Sequence, residues 1–126
     1  MSRVNLLLGK KAEESAAIFL KENGYRVLAR NYRTRLGEID IIALDQGTYC
    51  FIEVKARSSE RFGLPQEALL RRKQRQISKA ALIYLKENNL LEKRARFDVV
   101  SLIYQEGVPK LDLIKNAFEL DSSFTY

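Results

Sequence analysis

EIDIIALDQGTYCFIEVK, from Glu38 to Lys55, contains two apolar segments joined at Gln46-Gly47, with Glu38, Asp40, Glu53 and Lys55 placed inside them. Charged side chains are costly within a sheet unless something compensates them. Strand alternation puts Glu38 and Asp40 on one face of the first segment, and Phe51, Glu53 and Lys55 on one face of the second. A two-residue loop at Gln46-Gly47 pairs Asp45 with Thr48, which sets Asp40 opposite Glu53 and Glu38 opposite Lys55. Directly opposed residues have Cβ atoms about 4.5–5.5 Å apart. Two carboxylates that close repel and raise each other's pKa unless a cation intervenes, and a divalent ion with oxygen ligands removes the conflict. A bulged three-residue loop would shift the pairing by one and turn one carboxylate away. The plainer alternative is a Glu38–Lys55 ion pair with Asp40 and Glu53 exposed. The apolar neighbours Ile39, Ile41, Ile42, Phe51, Ile52 and Val54 argue instead for a sheet covered on much of both faces. The pattern therefore favours a metal-centred acidic site.

Upstream, the helical spacing of Leu8, Ala12, Ala16, Phe19 and Leu20 predicts a helix over residues 7–23 that stops at Gly24. Glu13 falls at the border of this stripe, either as an ordinary edge residue or as a carboxylate reaching across the sheet. YRVLARNYRT predicts a strand before the hairpin. Downstream, RSSERFG reads as a loop and Pro65 opens a long helix over 65–88. Leu69, Ile77, Ala80 and Tyr84 form its core stripe, and Gln66, Lys73 and Gln76 share that sector, where polar groups need partners. Lys73 either extends its amine past the apolar contact to water or borders the acidic site. ARFDVVSLIY and PKLDLIKNAF predict a closing strand pair. The order predicts one α/β domain over 1–126, a central mixed β-sheet flanked by α-helices, with the last few residues flexible.

The chain has 126 residues and is 46% apolar, enough for one globular core. No apolar run approaches the roughly 18 residues of a membrane span, and the opening MSRVNLLLGKKAEES lacks a processing-site pattern. Histidine is absent, which removes histidine-based nucleophile systems and the common zinc sites. Any catalysis must run on carboxylates, lysines, hydroxyls and a hard metal ion. The single cysteine, Cys50, fits a reducing cytoplasm and, three residues from Glu53, should face away from it into the core. The net charge is +6, and residues 55–79 alone carry eight basic and two acidic side chains. Such a concentration suits a phosphate backbone; the alternative is a solvated basic helix.

These residues resemble a known pattern. An acidic residue, a second strand reading EVK and a glutamate on the preceding helix are similar to the PD-(D/E)xK nucleases of the restriction-endonuclease-like fold. More closely, GEIDIIA, FIEVKAR, FG.P.EA and RFDVV, with KKAEESAAIFLKENGY and KQRQISKAALIYL, resemble the YraN-like family of small bacterial proteins, related to archaeal Holliday-junction resolvases. The resemblance implies Asp40 and Glu53 as metal-binding carboxylates, Lys55 as the active-site lysine and Glu13 as the helix glutamate. It implies Mg²⁺ or Mn²⁺ held by Asp40, Glu53 and the Val54 backbone carbonyl, with Glu13 orienting an aquo ligand or helping to hold a second ion. Arg57, Arg61, Gln66, Lys73 and Arg75 are the candidates for contact with nucleic acid, DNA foremost. Ile39 replaces the usual proline and Ala12 a usual glycine. The expected function is metal-dependent endonucleolytic cleavage, on branched DNA if two sites meet in a homodimer. The rivals are a non-catalytic nucleic-acid-binding module on the same fold and a protein-interaction domain.

Overall fold

A computed structural model describes residues 3–57 and 71–119, with side chains from Gly9 onward. The elements are α1 (Arg3–Glu22), β1 (Arg26–Arg33), β2 (Glu38–Asp45), β3 (Thr48–Arg57), α2 (Arg71–Glu87), β4 (Ala95–Gln105) and β5 (Val108–Phe118). The first helix begins at Arg3, four residues before the expected start, because RVN continues the helical run without a breaker. The expected helix start at Pro65, with Gln66 and Leu69, lies outside the described residues, as do Arg61 and the C-terminal residues.

Local chemistry sets the element ends. Gly24 adopts φ 87°, the Tyr25 amide donates to the Leu20 carbonyl (2.9 Å) and the Gly24 amide to that of Lys21 (3.1 Å), closing α1 as a Schellman turn. Asn89, at φ 56°, closes α2 the same way through the Leu90 amide and the Leu85 carbonyl, 2.7 Å apart. Gln46-Gly47 and Glu106-Gly107 both have two positive φ values, the conformation that two-residue hairpin loops require.

The five strands form one sheet in the order β1-β2-β3-β4-β5, antiparallel except for the parallel β3–β4 pair that α2 connects. Alternation feeds two cores. Ile41, Ala43, Cys50, Ile52, Val100 and Leu102 pack with Ala12, Ala16, Ala17 and Leu20 of α1. Ile39, Ile42, Phe51, Phe97 and Val99 pack with Ile77, Ala80, Ala81 and Leu85 of α2. A mixed sheet between two helices is the α/β arrangement that the sequence suggested. Cys50 is fully buried in the α1-side core, and burial, with the Asp98 charge behind it, pushes its thiol up to about 12. It is a core residue.

Toward the end of the sheet where β3 and β4 begin, Asp98 of RFDVV is completely buried. It accepts from Arg96 Nε (2.8 Å) and Nη2 (3.0 Å), the Tyr25 hydroxyl (3.1 Å) and the Asn116 amide (2.9 Å). Arg96 Nη2 also donates to Asp45 (2.9 Å) and to Tyr25 Oη (2.8 Å). RFDVV is thus a structural clasp tying β4 to β5 and to the start of β1.

The β1–β2 turn is clamped from both sides. The Thr34 amide donates to the Gly37 carbonyl (2.8 Å), and Thr34 Oγ1 accepts from the amides of Leu36 and Gly37, each 3.1 Å away. A Cβ on Gly37 would collide with the Gln76 backbone carbonyl of α2. Backbone cannot rotate aside as a side chain does, so Gly37→Ala should destabilise the fold by roughly 1–3 kcal/mol, the usual penalty of overpacking. Urea unfolding measures it, and a loss below about 0.5 kcal/mol, the scale of ordinary surface changes, would contradict the close approach.

Candidate active site

Strand pairing between β2 and β3 follows the expected register from Asp45↔Thr48 to Ile41↔Ile52, and ends there. Beyond that point the Val54 amide donates to Asp40 Oδ2 (2.9 Å), so a carboxylate takes the place of the next ladder bond. The two strands part where the acidic residues begin. Glu38 accordingly does not pair with Lys55: it lies beside Arg33 of β1, with Oε1 3.3 Å from Nε.

Around the parting lies a cleft of about 550 Å³, lined by Glu13 from α1, Asp40 from β2, and Glu53, Val54, Lys55 and Arg57 from β3. Glu53 is buried (5% exposed), and its Oε2 meets no hydrogen-bond donor among the described residues. Burial, reinforced by the charge of Asp40, pushes its carboxyl up to about 8. Lys73 of α2 opposes that shift, its Nζ lying 3.7 Å from Glu53 Oε1. Glu13 is also raised, by burial first and by Asp40 second, against a hydrogen bond from Asn31.

Of the residues singled out in the sequence, Glu13, Asp40, Glu53, Val54, Lys55 and Arg57 therefore line one cleft. Lys73 faces Glu53 from the helix, and Arg75 is exposed on α2. Arg61 and Gln66 lie outside the described residues. Asn31 escaped the sequence reading. It has φ 53° within β1, and with its amide turned to the carboxylate its Nδ2 donates to Glu13 Oε1 (3.3 Å) and Oε2 (3.2 Å). An asparagine inside a strand pattern was the available signal, since Asn is depleted in strands and tolerates left-handed backbone.

Among the described residues no group of three or more Asp, Glu, Cys or His side chains stands close enough to hold a metal ion. The donor set at the parting is a pair of carboxylates beside the Val54 peptide. A buried carboxylate oxygen without a donor, next to a second carboxylate, is nevertheless what a hard cation would satisfy.

A sandwiched mixed sheet whose central strands part around two carboxylates and a lysine defines the class: an α/β domain with a five-stranded mixed sheet between two helices. The family described as "Uncharacterised protein family UPF0102" matches residues 12–102, and the chain belongs to it. A UPF0102 protein of Syntrophus aciditrophicus is 51% identical over 116 residues, 92% of this chain and 91% of its own length. One from Geobacter metallireducens is 48% identical over 120 residues, 95% of this chain and 98% of its own. Among solved structures, SSO0001 superposes with a TM-score of 0.44 at 21% identity; 91% of this chain is covered and it spans 54% of that one.

Proposed function

We infer that the protein is a metal-dependent endonuclease that hydrolyses phosphodiester bonds in DNA. The observation that carries this reading is the unpartnered, buried Glu53 Oε2 beside Asp40, at the place where β2 and β3 part and Lys55 enters the same cleft. In this reading Asp40, Glu53 and the Val54 carbonyl hold Mg²⁺ or Mn²⁺, which would lower the pKa of a bound water and stabilise charge on the phosphoryl oxygens. Lys55 positions the attacking water or neutralises the developing charge. Glu13 orients a metal-bound water. Arg57 stands on the cleft wall, and Arg61, Gln66, Lys73 and Arg75 are the further candidates for contact with the phosphate backbone. Selective cutting of branched DNA would require two such sites facing two strands, and so a homodimer.

Incubation with duplex, single-stranded, flap and four-way-junction DNA tests the reading, with Mg²⁺ or Mn²⁺ and beside Lys55→Ala and Asp40→Asn variants. Cleavage should disappear with chelator and fall sharply in both variants. Equal cutting by wild type and Asp40→Asn would refute the site. Binding should follow phosphate chemistry: four backbone contacts give a log–log salt slope of about −3.6 for duplex DNA. A slope near zero, or strong dependence on base sequence, would reject backbone reading.

A second reading has its own support. Lys73 already stands 3.7 Å from Glu53, and a third carboxylate is missing from the pair among the described residues. A resident ammonium in place of a metal suits a nucleic-acid-binding module without turnover. Salt-sensitive binding of several substrates, with none cut, would select it.

A further inference from the structure

The register across β1 and β2 carries information that the cleft alone does not. After a register shift between Val27 and Ala29, the pairs Ala29↔Ile42, Arg30↔Ile41, Tyr32↔Ile39 and Arg33↔Glu38 run one to one, so no residue is inserted between Ala29 and Arg33, and the flanking pairs set Asn31 opposite Asp40. Yet Ile39 and Ile41, two residues apart, enter opposite cores, Ile39 on the α2 side and Ile41 on the α1 side. In a regular strand they would share a face. The face changes between them, opposite the residue with φ 53°. A left-handed residue is unfavourable in a strand for any side chain, least so for Gly and Asn. An ordinary bulge changes the face by adding a residue, as between Val27 and Ala29; across Asn31 and Asp40 none is added, and the change of face coincides with the placement of Asp40 on the Val54 amide. The same Asn31 presents its amide to both oxygens of Glu13, on which the charge of Asp40 acts more strongly than that of Glu38.

We propose that Asn31 is a positioning residue of this cleft. Its left-handed backbone delivers Asp40 into the gap between β2 and β3, and its amide holds Glu13 on the wall of the same cleft, where Glu13 would orient a water of the cation held by Asp40 and Glu53. The proposal rests on the cation reading of the cleft and deepens it. Sequence explains why the two tasks fall to one residue: glycine would supply the backbone without the amide, and glutamine the amide without the tolerance for positive φ.

Four proteins test it: wild type, Asn31→Gly, Glu13→Gln and the double variant, each examined by metal-free crystallography and by Mn²⁺ titration calorimetry. Asn31→Gly should leave Asp40 on the Val54 amide and release the Glu13 carboxylate from its place. Its Mn²⁺ affinity should fall by about tenfold, as when an outer partner of a metal ligand is removed. In the Glu13→Gln background the same change should cost nothing more, because Asn31 would act through Glu13. A further variant, Asn31→Ala, removes the amide and the left-handed preference together, and should displace Asp40 as well. Glu13 unmoved in Asn31→Gly, losses that multiply in the double variant, or a Mn²⁺ affinity equal to wild type overturns the Asn31 assignment alone. A wild type that binds no Mn²⁺ overturns the cation reading, and the role of Asn31 toward a cation with it.

Discussion

Glu53→Gln should abolish metal-dependent cleavage and at the same time stabilise the metal-free protein at neutral and higher pH. Removing an outer partner of a metal ligand typically costs about 10–100-fold, so loss of a direct ligand should exceed about 100-fold in cleavage rate. The stability effect follows from the raised carboxyl, whose pKa moves from an ordinary 4.5 to about 8 through burial and the neighbouring Asp40. Between those values the folded protein keeps a proton that the unfolded chain has lost. Stability therefore falls as pH rises from about 4.5 to about 8, and the contribution is fully lost above that window. Glutamine cannot ionise, so this component of the slope should be absent from the variant. Bound Mg²⁺ should oppose the loss in wild type, since a ligand specific to the folded state adds stability as its concentration rises above Kd. Urea titrations at several pH values, with and without Mg²⁺, read all three effects. Identical pH profiles for wild type and Glu53→Gln would sink the electrostatic account, and equal cleavage would sink the ligand role.

Asp98→Ala should cost about 3–5 kcal/mol, the range for breaking a buried charge pair by removing one member. Asp98 is 0% exposed and accepts from Arg96, Tyr25 and Asn116. Truncation leaves the Asn116 amide and much of the Arg96 guanidinium without their acceptor, although Arg96 keeps Asp45. Against a total stability of roughly 5–15 kcal/mol for a domain, this is a large share. Asp98→Asn retains one acceptor oxygen and should lose less. Because the clasp gathers around the start of β4 and the cleft around the end of β3, DNA binding by folded Asp98→Asn should stay near wild type. A loss under about 1 kcal/mol for Asp98→Ala, the size of an average point mutation, would show that the network is not holding β4 to β5.

The hairpin, its register and the burial of Cys50 were legible in the chain because they depend on local rules. Gln46-Gly47 demands a two-residue turn, the turn sets the pairing, and a period of two then assigns faces. The helix stops at Gly24 and near Asn88 were equally local, since a left-handed residue closes each helix. The same alternation also suggested Asp40 against Glu53 and Glu38 against Lys55, and there it failed: pairing ends at Ile41↔Ile52, Asp40 takes the Val54 amide and Glu38 turns to Arg33.

What interrupts the pattern is not local. The Asp40 carboxylate occupies the Val54 amide, Asn31 changes the face of the neighbouring strand region, and Lys73 arrives at Glu53 from a helix twenty residues later in the chain. RFDVV likewise reads as an ordinary strand until β4 lies parallel to β3 and brings Arg96 and Asp98 to Tyr25 and Asp45. The sequence by itself determined which residues are strands, helices and core, because propensity and periodicity act over a few neighbours. Only the tertiary structure decided how the charged residues are compensated, because the partners of a buried charge come from whatever the packing brings within hydrogen-bond reach.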